Sequence, residues 1–71
     1  SPKERSLATV SALVATGNVD QLKFHLPFAK QNGASEDELI EVITHLAFYA
    51  GWPNAMSAAA IVKDLFEKRL S

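Results

Sequence analysis

The sequence predicts an all-α protein, an antiparallel helical bundle of about four helices. Three observations carry this expectation. Apolar residues recur at helical three- and four-residue spacing along most of the chain. Glycine stops separate these stretches, and residues that cap helix starts follow the stops. No stretch sustains the period-two alternation of a strand, and the Asn32-Gly33 pair follows a helical pattern rather than joining two β-branched runs.

Ser1 and Glu4 form a capping box, with Pro2 at the first helical position. Leu7, Val10, Leu13 and Val14 then give the first helix its apolar stripe, and Gly17 stops it. A second helix begins between Asn18 and Asp20, carries Leu22, Leu26 and Ala29 with Phe24 and Phe28 beside them, and ends at Asn32-Gly33. Pro27 lies inside it and predicts a kink or local break, because proline lacks the backbone donor and crowds the preceding turn. Ser35 and Glu38 are the clearest capping box, and Asp37 adds favourable negative charge to that first turn. The third helix should reach about Ala50 and stop at Gly51. Pro53 opens a fourth, carrying Ala58, Ile61, Val62, Leu65 and Phe66, in which Ala58-Ala59-Ala60 permits close helix approach. Lys63, Lys68 and Arg69 suit the negative end of that helix's dipole. Short joints between the four favour antiparallel neighbours.

The 71 residues make one domain, residues 1–71. A chain this small buries a modest fraction of its surface, and without cysteine it has no disulfide or thiolate metal site to reinforce it. Its hydrophobic fraction is nevertheless 48%, which points to self-association as a homo-oligomer. The third helix says the same. Leu39, Val42, Ile43, Leu46 and Ala50 share the expected inward face, Ile40 and Ala47 lie to one side, and Phe48 is almost opposite. Ile40 or Phe48 is therefore expected to meet another subunit, or a part of the protein absent from this chain.

A net charge of −1 lacks the basic face that nucleic acid requires. No apolar run approaches the roughly 20 residues that span a bilayer. The absence of a secretory signal and of cysteine leads to the expectation of a cytoplasmic protein. The chain opens Ser1-Pro2-Lys3, without methionine, as a processed product or a segment of something longer would.

Chemistry-bearing residues are few. Glu41, His45 and Tyr49 stand at i, i+4 and i+8 and form one line beside the core stripe. Such a line can move protons, because histidine titrates near neutrality and its neighbours tune it. A Glu-His pair also stabilises a helix, and a tyrosine at a core edge also packs, so both roles stay open. His25 lies among Phe24, Leu26 and Phe28, as a packed core histidine would, and gains a chemical role if the bundle brings it near His45. The types of His25, Glu41 and His45 would suit zinc or iron, yet there is no HExxH or paired Glu-x-x-His motif, so no metal site is expected. There is no Gly-x-Ser-x-Gly elbow, and Gly17 and Gly33 are helix stops rather than a phosphate loop.

From Arg5 to Ala59 the chain resembles the carboxymuconolactone decarboxylase family, relatives of the alkylhydroperoxidases. The matching residues are Arg5-Ser6-Leu7, Thr9 and Leu13; Leu22-Lys23-Phe24-His25; Ala29 and Asn32-Gly33; Ser35-x-x-Glu38-x-x-Glu41-Val42; and His45-x-x-x-Tyr49-Ala50-Gly51-Trp52-Pro53-x-Ala55. The resemblance implies an alkylhydroperoxidase-like helical subunit that assembles into trimers or hexamers, with sites near subunit contacts. Family subunits are usually longer, so this chain looks like a short or partial member.

The resemblance also divides the chemistry. Alkylhydroperoxidase-type members use a Cys-x-x-Cys pair with a histidine four residues beyond. Aligned on His25, those cysteines fall on Asn18 and Gln21, which form neither thiolate nor disulfide. A peroxidase or antioxidant activity is therefore disfavoured. The decarboxylase branch implies loss of carbon dioxide from a lactone or related organic acid of aromatic breakdown, without a cofactor. Under that reading His25 or His45 donates the proton, Glu41 orients His45, Tyr49 donates a hydrogen bond and Arg5 clamps the carboxylate. The alternative of another class is a catalytically silent oligomeric helical module.

Overall fold

A computed structural model describes residues 1–66, and four helices account for nearly all of them: α1 (Pro2–Thr16), α2 (Val19–Gln31), α3 (Glu36–Tyr49) and α4 (Trp52–Phe66). Lys68 and Arg69, expected at the cationic end of α4, lie outside the described residues. No helix among the described residues is long and apolar enough to cross a membrane.

The caps explain the boundaries. The Ser1 hydroxyl accepts from the Glu4 backbone N–H at 3.2 Å and Glu4 reaches back to Ser1. At the far end Gly17 adopts φ 74°, a left-handed conformation that costs an L side chain roughly 1 kcal/mol or more. Its N–H and that of Asn18 return to carbonyls of the last turn, Asn18 to Leu13 at 2.9 Å. A side chain there would also crowd Asn54, whose amide nitrogen donates to the Ala15 carbonyl at 3.2 Å and ties the start of α4 to the end of α1. Asn18 is the N-cap of α2 but makes no side-chain capping bond. Ser35 and Glu38 form the expected box at α3.

Pro27 does not break α2, which runs as one helix from Val19 to Gln31. The ring is on the exposed side while Leu26 beside it is completely buried. Burial of that neighbouring stripe holds the helix together across one missing hydrogen bond.

The helices close around a core of Val10 and Val14 from α1, Leu22, Leu26 and Ala29 from α2, Leu39, Ile43 and Ala47 from α3, and Ala55, Ala58, Ile61 and Val62 from α4. α1 packs against all three other helices, α3 pairs with α4, and α2 also meets α4, which leaves α2 and α3 on opposite corners of the bundle. This placement corrects the expected inward face of α3. Ala47 is buried, whereas Val42, Leu46 and Ala50 are only half-buried. The i, i+4, i+8 row Leu39-Ile43-Ala47 is the buried face of α3, which packs against α1 and α4. In α1, Leu7 and Leu13 are likewise half-buried and Ser6 takes a buried position. In α4, Ala58 packs inward while Ala59 and Ala60 stay exposed, and Leu65 and Phe66 are half-buried. Ile40 and Phe48 are exposed, at 46% and 71%, as the helical wheel predicts.

Candidate active site

Where the first turns of α1 lie beside the last turns of α2, the surface opens into a groove of about 370 Å³. Pro2, Arg5, Ser6 and Thr9 form one wall at helical spacing; His25, Phe28 and Asn32 form the other. Each wall follows from its own helix. The side that turns Val10 and Val14 into the core leaves Arg5 and Thr9 at the rim, and the stripe Leu22-Leu26-Ala29 leaves His25 and Phe28 beside it.

Aromatic packing holds His25 in place. Its half-buried ring meets Phe24 edge-on with centroids 5.0 Å apart and Phe28 edge-on at 6.4 Å, while the two phenylalanines stack at 5.8 Å. Arg5 is exposed and makes no ion pair among the described residues, unlike Lys3, Lys23 and Lys30. Among the described residues no carboxylate lines the groove, so the Arg5 guanidinium dominates its electrostatics and favours an anionic guest. Thr9 Oγ1 donates to the Arg5 carbonyl at 3.0 Å, and the Asn32 Nδ2 donates to Ser6 Oγ at 2.8 Å. The second bond crosses from the end of α2 to α1 and fixes the inner end of the groove.

Of the residues singled out from sequence, the structure brings Arg5 and His25 together. Glu41, His45 and Tyr49 do form a row on α3, with the His45 and Tyr49 rings 4.7 Å apart, but all three are exposed and none lines the groove. Because α2 and α3 occupy opposite corners and the groove of His25 is not lined by His45, the two histidines do not share a site within one chain. Asn18 and Gln21 are exposed at the start of α2. Among the described residues, no group of three histidine, aspartate or glutamate side chains is placed to hold a metal ion.

Sequence reasoning missed Ser6, Thr9, Phe28 and Asn32 as groove residues. A signal existed for two of them: Arg5 and Thr9 are one helical turn apart, and Ser6 interrupts the periodicity at a position four before buried Val10. Asn32 read as a helix terminator, and its second role needs the tertiary pairing of α1 with α2.

The model of the carboxymuconolactone decarboxylase family matches residues 1–64. The chain is 40% identical over 63 residues to 4-carboxymuconolactone decarboxylase of Acinetobacter baylyi, covering 89% of this chain and 47% of that protein. It is 30% identical over 70 residues to nitrosuccinic acid decarboxylase npaB of Metarhizium robertsii, covering 93% of this chain and 49% of that one. The chain thus spans about half the length of the curated relatives it matches. With four helices in place and the family's model running through nearly all of them, the chain belongs to the carboxymuconolactone decarboxylase family.

Proposed function

We propose that the protein is a decarboxylase of a small organic acid, a lactone or related product of aromatic breakdown, and that it works without a cofactor. The observation that carries this reading is a groove in which, among the described residues, Arg5 stands with a packed His25 and no carboxylate beside them. Both relatives are named as decarboxylases, which supports the same reaction class here. In the proposed reaction the bond between the substrate carbon and its carboxylate breaks. The electron pair passes onto that carbon and into a conjugated carbonyl of the substrate, carbon dioxide leaves, and His25 in its protonated form delivers a proton to the carbon. Arg5 binds a carboxylate of the substrate through its planar pair of donors.

The test is to incubate the purified protein with 4-carboxymuconolactone and follow carbon dioxide release. Arg5→Gln should raise KM by about tenfold, since a charge-assisted contact to a carboxylate contributes on that scale. A folded wild-type protein that releases no carbon dioxide overturns the reading and leaves the catalytically silent module in its place. A peroxide assay without added thiol is expected to show no turnover.

We further propose that the outer side of α3 and α4 meets a second copy of this chain. Phe48 and Trp52 pack edge to face at 5.4 Å, yet are 71% and 57% exposed, and Met56 beyond them is 62% exposed. Ile40 and Lys63 border an adjoining cleft of about 220 Å³ between the same helices. Exposed large apolar side chains grouped on so small a domain support this reading. The Glu41-His45-Tyr49 row lies on this helix pair, and in the proposed assembly it acts at the contact rather than in the groove of its own chain.

A further inference from the structure

Four of the helical hydroxyls follow one habit in this protein. Thr9, Ser11, Thr16 and Ser57 each return the hydroxyl proton to the carbonyl four residues earlier, at 2.8 to 3.0 Å. Ser6 does not. It is the buried polar side chain among the described residues, at 6% exposure, and its oxygen accepts the Asn32 amide N–H. No acceptor among the described residues takes its own proton. Asn32 Nδ2 carries a second hydrogen, and among the described residues it too has no acceptor. Both residues line the groove that holds Arg5 and His25.

We infer that Ser6 and Asn32 form a neutral donor pair that hydrogen-bonds the substrate oxygen on which charge collects as carbon dioxide departs. This rests on the decarboxylase reading of the groove and adds a division of labour to it. A guanidinium is matched to a full carboxylate, and holding the departing carboxylate tightly would oppose its conversion to neutral carbon dioxide. The developing enolate oxygen needs donors that strengthen as charge arrives, and fixed donors away from bulk water serve this best. As the carbon–carboxylate bond breaks, its electron pair moves onto the neighbouring carbon and then to the conjugated oxygen. The O–H of Ser6 and the free N–H of Asn32 meet that oxygen. When the pair returns to carbon, it takes the proton from His25. The Asn32 to Ser6 bond positions both donors, because each side chain is anchored on a different helix.

The test uses two ligands that share a carboxylate and differ at the other end. Succinate carries only carboxylates. The nitronate of 3-nitropropanoate, used at a pH where it is deprotonated, spreads its charge over oxygens conjugated to carbon, as the enolate does. Binding is measured by calorimetry on the whole protein, with circular dichroism confirming the fold. Ser6→Ala should weaken nitronate binding by about tenfold while leaving succinate within about twofold, the scale of one lost hydrogen bond. Asn32→Ala should do the same, and its backbone at φ −86° accepts alanine, so it carries the test if Ser6→Ala fails to fold. Arg5→Gln should weaken both ligands alike. Unchanged nitronate affinity in the folded variants, or an equal loss for both ligands, overturns the inference and leaves the pair as a tie between helices. Failure of the wild-type protein to bind either ligand overturns it as well; carbon dioxide release from 4-carboxymuconolactone by the same sample would then show that the decarboxylase reading survives alone.

Discussion

Lys3 Nζ and Glu38 Oε2 lie 2.6 Å apart, so one carboxylate both caps α3 and binds α1 to it. The other oxygen of Glu38 accepts the Ser35 N–H at 2.9 Å, while the Ser35 hydroxyl accepts the Glu38 N–H at 3.0 Å. The capping box legible in the sequence is thus also a tertiary contact, since Lys3 arrives from the opposite end of the fold's first half.

A pH dependence follows. The Lys3 ammonium, joined by the Ser35 N–H, holds the Glu38 carboxyl below its ordinary value of 4.5. A carboxyl whose native value is depressed stabilises the fold above its unfolded value, and loses that contribution as pH falls through the native one. Stability should therefore decline as pH drops from about 4.5 downward. Glu38→Gln should lower the thermal midpoint at neutral pH and flatten this acid limb, with little difference from wild type once the carboxyl is protonated. Thermal unfolding followed by circular dichroism across acid pH reads both effects.

Leu26 is fully buried at the centre of the α2 stripe. Leu26→Ala should destabilise the protein by about 2–5 kcal/mol through lost transfer energy and the cavity left behind. In a domain this small that is a large share of the whole, so urea unfolding should show a clearly lower midpoint or a chain unfolded at the outset. An unshifted midpoint would mean that α2 is not held by this stripe.

The two imidazoles should differ in kinetic weight. His25→Gln should lower kcat by about 10²- to 10⁴-fold, as loss of a general acid does. His45→Ala should act more weakly, because His45 stands exposed on α3 away from the groove. Steady-state assays on both variants decide the matter, and a reversed order would move the proton donor to α3.

Phe48→Asp should abolish self-association and leave helix content unchanged, since the 71% exposed ring contributes little to its own bundle. Sedimentation velocity of the two proteins at equal concentration is the measurement. A wild-type chain that sediments as a monomer, or a variant with undiminished association, removes the proposed contact.

Local chemistry made the fold legible. Capping boxes at Ser1 and Ser35, the glycine stop at Gly17 and the stripe Leu22-Leu26-Ala29 each depend on neighbours within a turn or two, so a one-dimensional reading reaches them. The rotation of α3 that buries Ala47 in place of Val42 was not legible, because it depends on which two helices flank α3. That Pro27 leaves α2 unbroken has a related reason: propensity speaks of an isolated helix, and the burial of Leu26 outweighs it. In the candidate groove, Arg5 and His25 could be named from residue type and family resemblance. The bond from Asn32 to Ser6, spanning 26 positions, emerges only when two helices are laid side by side.

The reach of α1 has a consequence for how the groove comes into being. That helix touches each of the other three, and the same residues that dock it include one wall of the groove. A chain with α1 undocked would still present His25, yet without Arg5, Ser6 and Thr9 around it. Under the proposed reaction, chemistry and folding would share a single switch: a partly assembled molecule would be inert, and only completion of the bundle would surround the histidine with its partners.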